Sequence, residues 1–165
     1  MSQFVVGVDP GSCITGYGVI AILPRGMRVV DYGCLRTKSK QPLTTRYRIM
    51  HEGVSALLER YQPQALAVET QYVSKNVQSS LKLGMARGVV MLAATLREID
   101  VFEYAPSKAK RAVVGNGSAS KHQVKSMVSR LLGITLTSED AADALALAIC
   151  HAHLLTRNQH KDFQI

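Results

Sequence analysis

The sequence predicts an α/β fold: a five-stranded mixed sheet flanked by helices, with strands one to three antiparallel and strands four and five parallel to strand one. Three observations carry that expectation. Three strand-like runs follow one another at the start, joined by short turns, as in an antiparallel meander. Helical stripes then alternate with two more short apolar runs, which implies parallel crossovers. Two of the apolar runs, Phe4–Asp9 and Ala65–Glu69, end on a carboxylate, at the strand ends where open α/β sheets place their chemistry.

In the first run, Phe4-Val-Val-Gly-Val-Asp9 is a buried strand that Pro10-Gly11 breaks at once. Thr15 to Leu23 is the second strand, Pro24-Arg-Gly26 a hairpin turn, and Met27 to Thr37 the third strand. Leu43, Tyr47, Met50, Val54, Leu57 and Tyr61 recur at spacings of three and four, the stripe of a core-facing helix that Pro63 stops. Ala65–Glu69 is the fourth strand, and a polar loop, Thr70 to Asn76, follows. Val77 to Ile99 reads as a long helix whose small residues, Gly84, Ala86, Gly88, Ala93 and Ala94, permit close approach of another element. Val101 to Ala105 is the fifth strand.

Pro106 suits the first turn of a short helix. Gly115-Asn-Gly117 is a turn, and Ser118 is placed to cap a helix that turns Val124, Met127, Val128, Leu131 and Leu132 inward. Lys121 and Lys125, four apart, share one face of that helix. The loop from Gly133 to Thr137 leads to a last helix packed through Ala142, Leu145, Ala146 and Ile149. No linker or repeat divides the chain, so the expectation is one domain over 1–157, with 158–165 as a frayed tail. The simplest sheet for this order puts the first strand at the centre beside the fourth, which is the ribonuclease-H-like architecture.

A hydrophobic fraction of 47% over 165 residues is enough for a folded core. No apolar run reaches the roughly 18 residues that span a bilayer, and residues 1–9 lack the basic start of a signal peptide. Cys13, Cys34 and Cys150 lie far apart, which fits reduced thiols in the cytoplasm better than a disulfide frame or a zinc site. The net charge of +8 calls for a polyanionic partner. Residues 106–130 carry Lys108, Lys110, Arg111, Lys121, Lys125 and Arg130 with no acid among them, whereas Glu139, Asp140 and Asp143 crowd together.

The predicted topology brings Asp9 and Glu69 to one edge of the sheet, and Asp140 and Asp143, three apart, to one helical face. Converging carboxylates repel and take up protons unless a cation meets them. An all-oxygen set suits Mg²⁺ or Mn²⁺, and two such ions clamp the attacking and leaving oxygens of a phosphodiester. The alternative for each residue is plain: Asp9 a turn residue, Glu69 a solvated strand end, Asp140 and Asp143 a capping box on the last helix. Tyr72, just past Glu69, is either a core aromatic or a platform for an unpaired base. Gly16-Tyr-Gly18-Val-Ile-Ala21 matches a dinucleotide fingerprint in letters only, because no helix follows it. His151 and His153 point different ways from a helix and are read as structural or surface residues.

Four ordered blocks carry a family resemblance: GVDPGSCITGYGVI, VETQYVSKNVQSSLKLGMARGVV, FEYAPSKAKRAVVGNGSASKHQV and EDAADALALAICHAH. From about Val5 to about His153 the chain resembles the RuvC family of bacterial Holliday-junction resolvases. The resemblance implies a homodimeric, metal-dependent endonuclease that acts on four-way DNA junctions during recombination and repair. It implies paired nicks in strands of like polarity, ends that a ligase can seal, and cooperation with the RuvA–RuvB branch-migration motor. The catalytic metal ligands of the family fall on Asp9, Glu69, Asp140 and Asp143, and its phosphate-side lysines on Lys110 and Lys121. The family aromatic, often Phe, falls on Tyr72. Some members have His where this chain has Asp140. Rival readings are a general ribonuclease-H-like nuclease, a junction-binding protein without catalysis, and an actin-like ATPase. The last needs a duplicated domain.

Overall fold

A computed structural model describes residues 3–156 of the 165. The tail expected over 158–165 lies outside the described residues. The elements run β1 (Gln3–Asp9), β2 (Ile14–Leu23), β3 (Gly26–Arg36), α1 (Leu43–Tyr61), β4 (Ala65–Glu69), α2 (Val77–Thr95), β5 (Asp100–Tyr104), α3 (Pro106–Val114), α4 (Lys121–Leu132) and α5 (Glu139–Thr156). The strands form one sheet in the order β3-β2-β1-β4-β5. β1 pairs with β2 antiparallel and with β4 in parallel, and β4 pairs with β5 in parallel.

Two apolar layers sandwich the sheet. On one face Val6, Val8, Leu66, Val68 and Val101 pack against α1 and α2 through Val54, Leu58, Ala86, Val90 and Ala94. On the other, Val5 and Ile20 meet Leu145 and Ile149 of α5, and Ala67, Phe102 and Tyr104 meet Ala109 of α3 and Leu147 of α5. α5 is covered by the sheet, α3 and α4, so it is buried nearly all round rather than along the expected single stripe. His151 is buried on this helix as a structural residue: its Nδ1 shares a hydrogen bond with Tyr104 Oη at 2.6 Å, and Phe102 lies against its ring.

Two local expectations are corrected. Ser120, not Ser118, caps α4: its hydroxyl accepts from Gln123 N while the Gln123 side chain accepts from Ser120 N, a reciprocal capping box. α2 ends at Thr95, and its small residues divide by face. Ala86, Ala93 and Ala94 are buried in the core of their own chain, whereas Gly84 and Gly88 face open space.

Candidate active site

Asp9 and Glu69 end neighbouring strands, β1 and β4. Side chains alternate along a strand, and Val8 and Val68 point to the α1–α2 side. Asp9 and Glu69 therefore point to the other side, under the start of α5. Glycine brings α5 down onto them. An added β-carbon would lie 1.9 Å from Ala144 O at Gly7, 2.1 Å from Asp140 O at Gly16 and 2.5 Å from the Leu145 side chain at Gly18. The Gly16-Tyr-Gly18 pattern is thus the seat of a helix, not a nucleotide loop.

Asp9, Glu69 and Asp143 line one cavity together with Lys110 of α3 and Lys121 of α4. Lys121 Nζ lies 3.6 Å from Asp143 Oδ2. Asp140 is half-buried one turn before Asp143 and does not line this cavity, although its charge helps to raise the pKa of both Asp9 and Asp143. The α5 cap is Ser138, whose Oγ accepts from Ala141 N at 3.3 Å. Asp140 and Asp143 are therefore free of the capping-box role. Lys125 is half-buried on α4 outside the cavity lining. Tyr72 is 66% exposed, which removes the core alternative. It lines an adjoining concavity with Asp9, Glu69, Gln71 and Arg87.

The electrostatics are those of an acid cluster short of positive charge. Burial, then Glu69, Asp143 and Asp140, push the Asp9 carboxyl up to about 7, against partial relief from Lys121. Burial and Asp143 raise Glu69, while Lys121 and Lys110 lower it. Burial raises Asp143, which Lys121 relieves. The ammonium of Lys121 is raised in turn, chiefly by Asp143. The donors are all oxygen and crowd like charges into one buried corner, so the chemistry fits a hard divalent ion. Among the described residues, no three acidic, histidine or cysteine side chains stand together closely enough to hold a metal.

Two arginines that the sequence reading did not single out brace the carboxylate-bearing strand ends. Arg46 of α1, buried, donates to Ser12 O and lies 3.3 Å from Cys13 Sγ in the turn after Asp9. Arg87 of α2 donates from Nε to Glu69 O at 3.2 Å and pairs with Glu103. The available signal was a charge set in a run of small and apolar residues, Met85-Ala-Arg-Gly-Val89, where burial requires a partner.

The family model described as crossover junction endodeoxyribonuclease RuvC matches residues 5–151. A crossover junction endodeoxyribonuclease RuvC of Protochlamydia amoebophila (strain UWE25) is 59% identical over 152 residues, covering 91% of this chain and 90% of the relative. The Thermus thermophilus RuvC structure superposes with a TM-score of 0.88 at 32% identity, covering 99% of this chain and 100% of that one. T. thermophilus RuvC in complex with Holliday junction substrate gives 0.87 at 30% identity, with 99% of each chain covered. A match that spans both carboxylate-bearing strands and the start of α5 takes in the whole candidate site. On that evidence the chain belongs to the RuvC family of crossover junction endodeoxyribonucleases.

Proposed function

We propose that this chain is an endonuclease that resolves four-way Holliday junctions by symmetric paired nicking, with residues 1–157 acting as one nuclease domain. The observation that carries the reading is the cavity in which Asp9, Glu69 and Asp143 meet Lys110 and Lys121, in a chain of this family. Acids that face a phosphate serve no purpose in a pure binder. A cation would give them one.

Asp9, Glu69 and Asp143 would hold the metal, with Asp140 completing the set from the same helical turn. Mg²⁺ is the proposed ion, Mn²⁺ an acceptable substitute, and two per site the proposed number. Bound there, the ions supply Lewis acidity at the scissile phosphate. The chain's own cations have a separate task. Lys110 and Lys121 face the charge that develops on the phosphate oxygens, and Lys125 adds to the basic surface on the same helix. Tyr72, exposed at the rim, would stack on an unpaired base beside the cut, a contact worth about 1–3 kcal/mol.

The proposed assembly is a homodimer, because a junction has two equivalent strands to cut, related by a two-fold axis. Supporting this is a stripe on α2 in which Leu81, Met85 and Leu92 are exposed and Gly84 and Gly88 open. Work alongside a RuvA–RuvB branch-migration motor, in the cytoplasm, completes the reading. No helix among the described residues is long and apolar enough to cross a membrane.

The test is a synthetic mobile four-way junction with Mg²⁺. The expected products are paired nicks in strands of like polarity that DNA ligase seals. Asp9→Asn, Glu69→Gln, Asp140→Asn and Asp143→Asn should each nearly abolish cleavage while junction binding persists. Faster cutting of an RNA–DNA hybrid than of the junction would favour a general nuclease. Junction binding without cleavage in either metal would favour the scaffold.

A further inference from the structure

α2 meets the site from behind. The carboxylates lie on the α5 side of the sheet, yet α2, on the opposite side, holds the backbone from which Glu69 and Tyr72 project. Ser80 Oγ accepts from Ser74 N at 2.9 Å, and Ser80 O accepts from Gln71 Nε2 at 3.2 Å, so the loop after Glu69 is tied to the first turns of the helix. Seven residues on, hence on the same face, stands Arg87.

Its guanidinium bridges two strands. Nε donates to Glu69 O at 3.2 Å, at the last residue of β4, and a terminal nitrogen pairs with the Glu103 carboxylate on β5. Beside them Thr70 N donates to Tyr104 O at 2.8 Å, the last hydrogen bond between these two strand ends. Both side chains of the ion pair are largely covered, at 18% and 28% exposure. A planar fork with fixed donors defines geometry in a way that a single ammonium does not. Glu69 otherwise sits where restraint ends: at the end of a five-residue strand, before a polar loop, and under repulsion from Asp143.

We propose that Arg87, with Glu103 as its counter-charge, is a positioning residue that fixes the strand end of Glu69 so that its carboxylate meets the metal. The proposal rests on the reading of Glu69 as a metal ligand. Arg87 touches neither substrate nor cation in this role. It acts through the Glu69 carbonyl, and its loss lets the ligand wander rather than removing it.

The experiment compares Arg87→Ala, Arg87→Lys, Glu103→Gln and Glu69→Gln with the wild type. Mn²⁺ binding to the protein alone is measured by calorimetry. The Mg²⁺ concentration for half-maximal cleavage, junction affinity without divalent ions, and the thermal midpoint are measured alongside. Arg87→Ala should weaken Mn²⁺ binding and raise the Mg²⁺ requirement by about 10-fold or more, the usual scale for a supporting partner of a ligand. Saturating Mg²⁺ should recover much of the rate, with junction affinity little changed. Arg87→Lys should fall between, because one ammonium reaches one partner. Arg97→Ala, which breaks an ion pair with Glu59 just past the end of α2, should leave the metal dependence alone. Wild-type Mn²⁺ affinity and Mg²⁺ requirement in folded Arg87→Ala overturn the proposal, as does lost cleavage at every Mg²⁺ concentration with Mn²⁺ affinity intact. If Arg87→Ala does not fold, Arg87→Lys and Glu103→Gln decide by the same readings. Wild-type Mn²⁺ affinity in Glu69→Gln would overturn the reading of Glu69 itself, and the role of Arg87 with it.

Discussion

Gly16 of β2 lies so close beneath the start of α5 that an added β-carbon would sit 2.1 Å from the carbonyl oxygen of Asp140. Backbone, not a flexible side chain, occupies that space. The helix must therefore lift if residue 16 gains a methyl group, and the acids ride on its first turns.

Gly16→Ala should accordingly damage the site more than the fold. Overpacking of this kind costs about 1–3 kcal/mol, and the start of α5, where Glu139 is exposed and Asp140 half-buried, can move to relieve it. The expectation is a folded protein with weakened Mn²⁺ binding and strongly reduced cleavage. Gly7→Ala is the contrast. Its β-carbon would lie 1.9 Å from Ala144 O, under the buried middle of the helix, where nothing can yield, so loss of thermal stability should dominate. Chemical denaturation beside cleavage assays separates the two. A Gly16→Ala protein with wild-type metal affinity would show that the acids do not depend on the seating of α5.

These contacts mark the limit of what the sequence discloses. The stripe from Leu43 to Tyr61 announced α1 to the residue, because one face of it is buried and periodicity reports a single buried face. The strand ends at Asp9 and Glu69 were legible for a similar reason, apolar runs closed by a charge. α5 was legible as a helix but not as a central one, since burial on all sides erases the stripe. Gly16 and Gly18 were visible only as a false fingerprint. Their purpose depends on a helix more than a hundred residues away in the chain. Arg87 was hidden likewise, because its partners, Glu69 O and Glu103, are brought to it only by the β4–β5 pairing.

The acid cluster should make the metal-free protein less stable as pH rises. Asp9, pushed up to about 7 chiefly by burial, holds its proton more tightly folded than unfolded. Between roughly pH 4 and 7 the folded state therefore binds more protons, and stability falls with pH across that window, the penalty being complete above it. The thermal midpoint in chelator should drop from about pH 5 to about pH 8. Asp9→Asn should flatten part of that slope and melt above the wild type at the alkaline end, while losing cleavage. Mg²⁺ should raise the wild-type midpoint more at the alkaline end than at the acid end. A slope unchanged in Asp9→Asn would trace it to other groups.

Lys121 offers a test of charge against affinity. Its ammonium is 3.6 Å from Asp143 and largely exposed, so the pair itself should contribute under about 1 kcal/mol to stability. Lys121→Ala should fold normally and lose turnover by roughly a hundredfold, the scale for removing one group that meets transition-state charge. If Lys121 also neutralises a ground-state phosphate, the log–log salt dependence of junction binding flattens by about one unit. Salt titrations and single-turnover cleavage separate the two roles, for Lys110 as well. Unchanged turnover, affinity and slope would remove the residue from the site.

The second copy is tested on α2. Leu81, Met85, Gly88 and Leu92 follow one another at spacings of four, three and four, which aligns them on one face. The three large residues are 56%, 55% and 52% exposed, and among the described residues nothing beyond the helix's own neighbouring backbone lies within 4 Å of a β-carbon built at Gly84 or Gly88. Among the described residues of a single copy these glycines have no packing to justify them, and Gly88→Ala should even gain about 0.8–1 kcal/mol from helix propensity. If a partner helix lies against the stripe, the same change loosens the dimer. Gly88→Arg and Met85→Glu should give folded monomers by sedimentation at micromolar concentration, with thermal midpoints near that of the wild type and no paired cuts. The junction needs both nicks before its arms separate, so single-nicked product should accumulate. A wild-type protein that sediments as a strict monomer and still cuts both strands in one binding event would defeat the dimer.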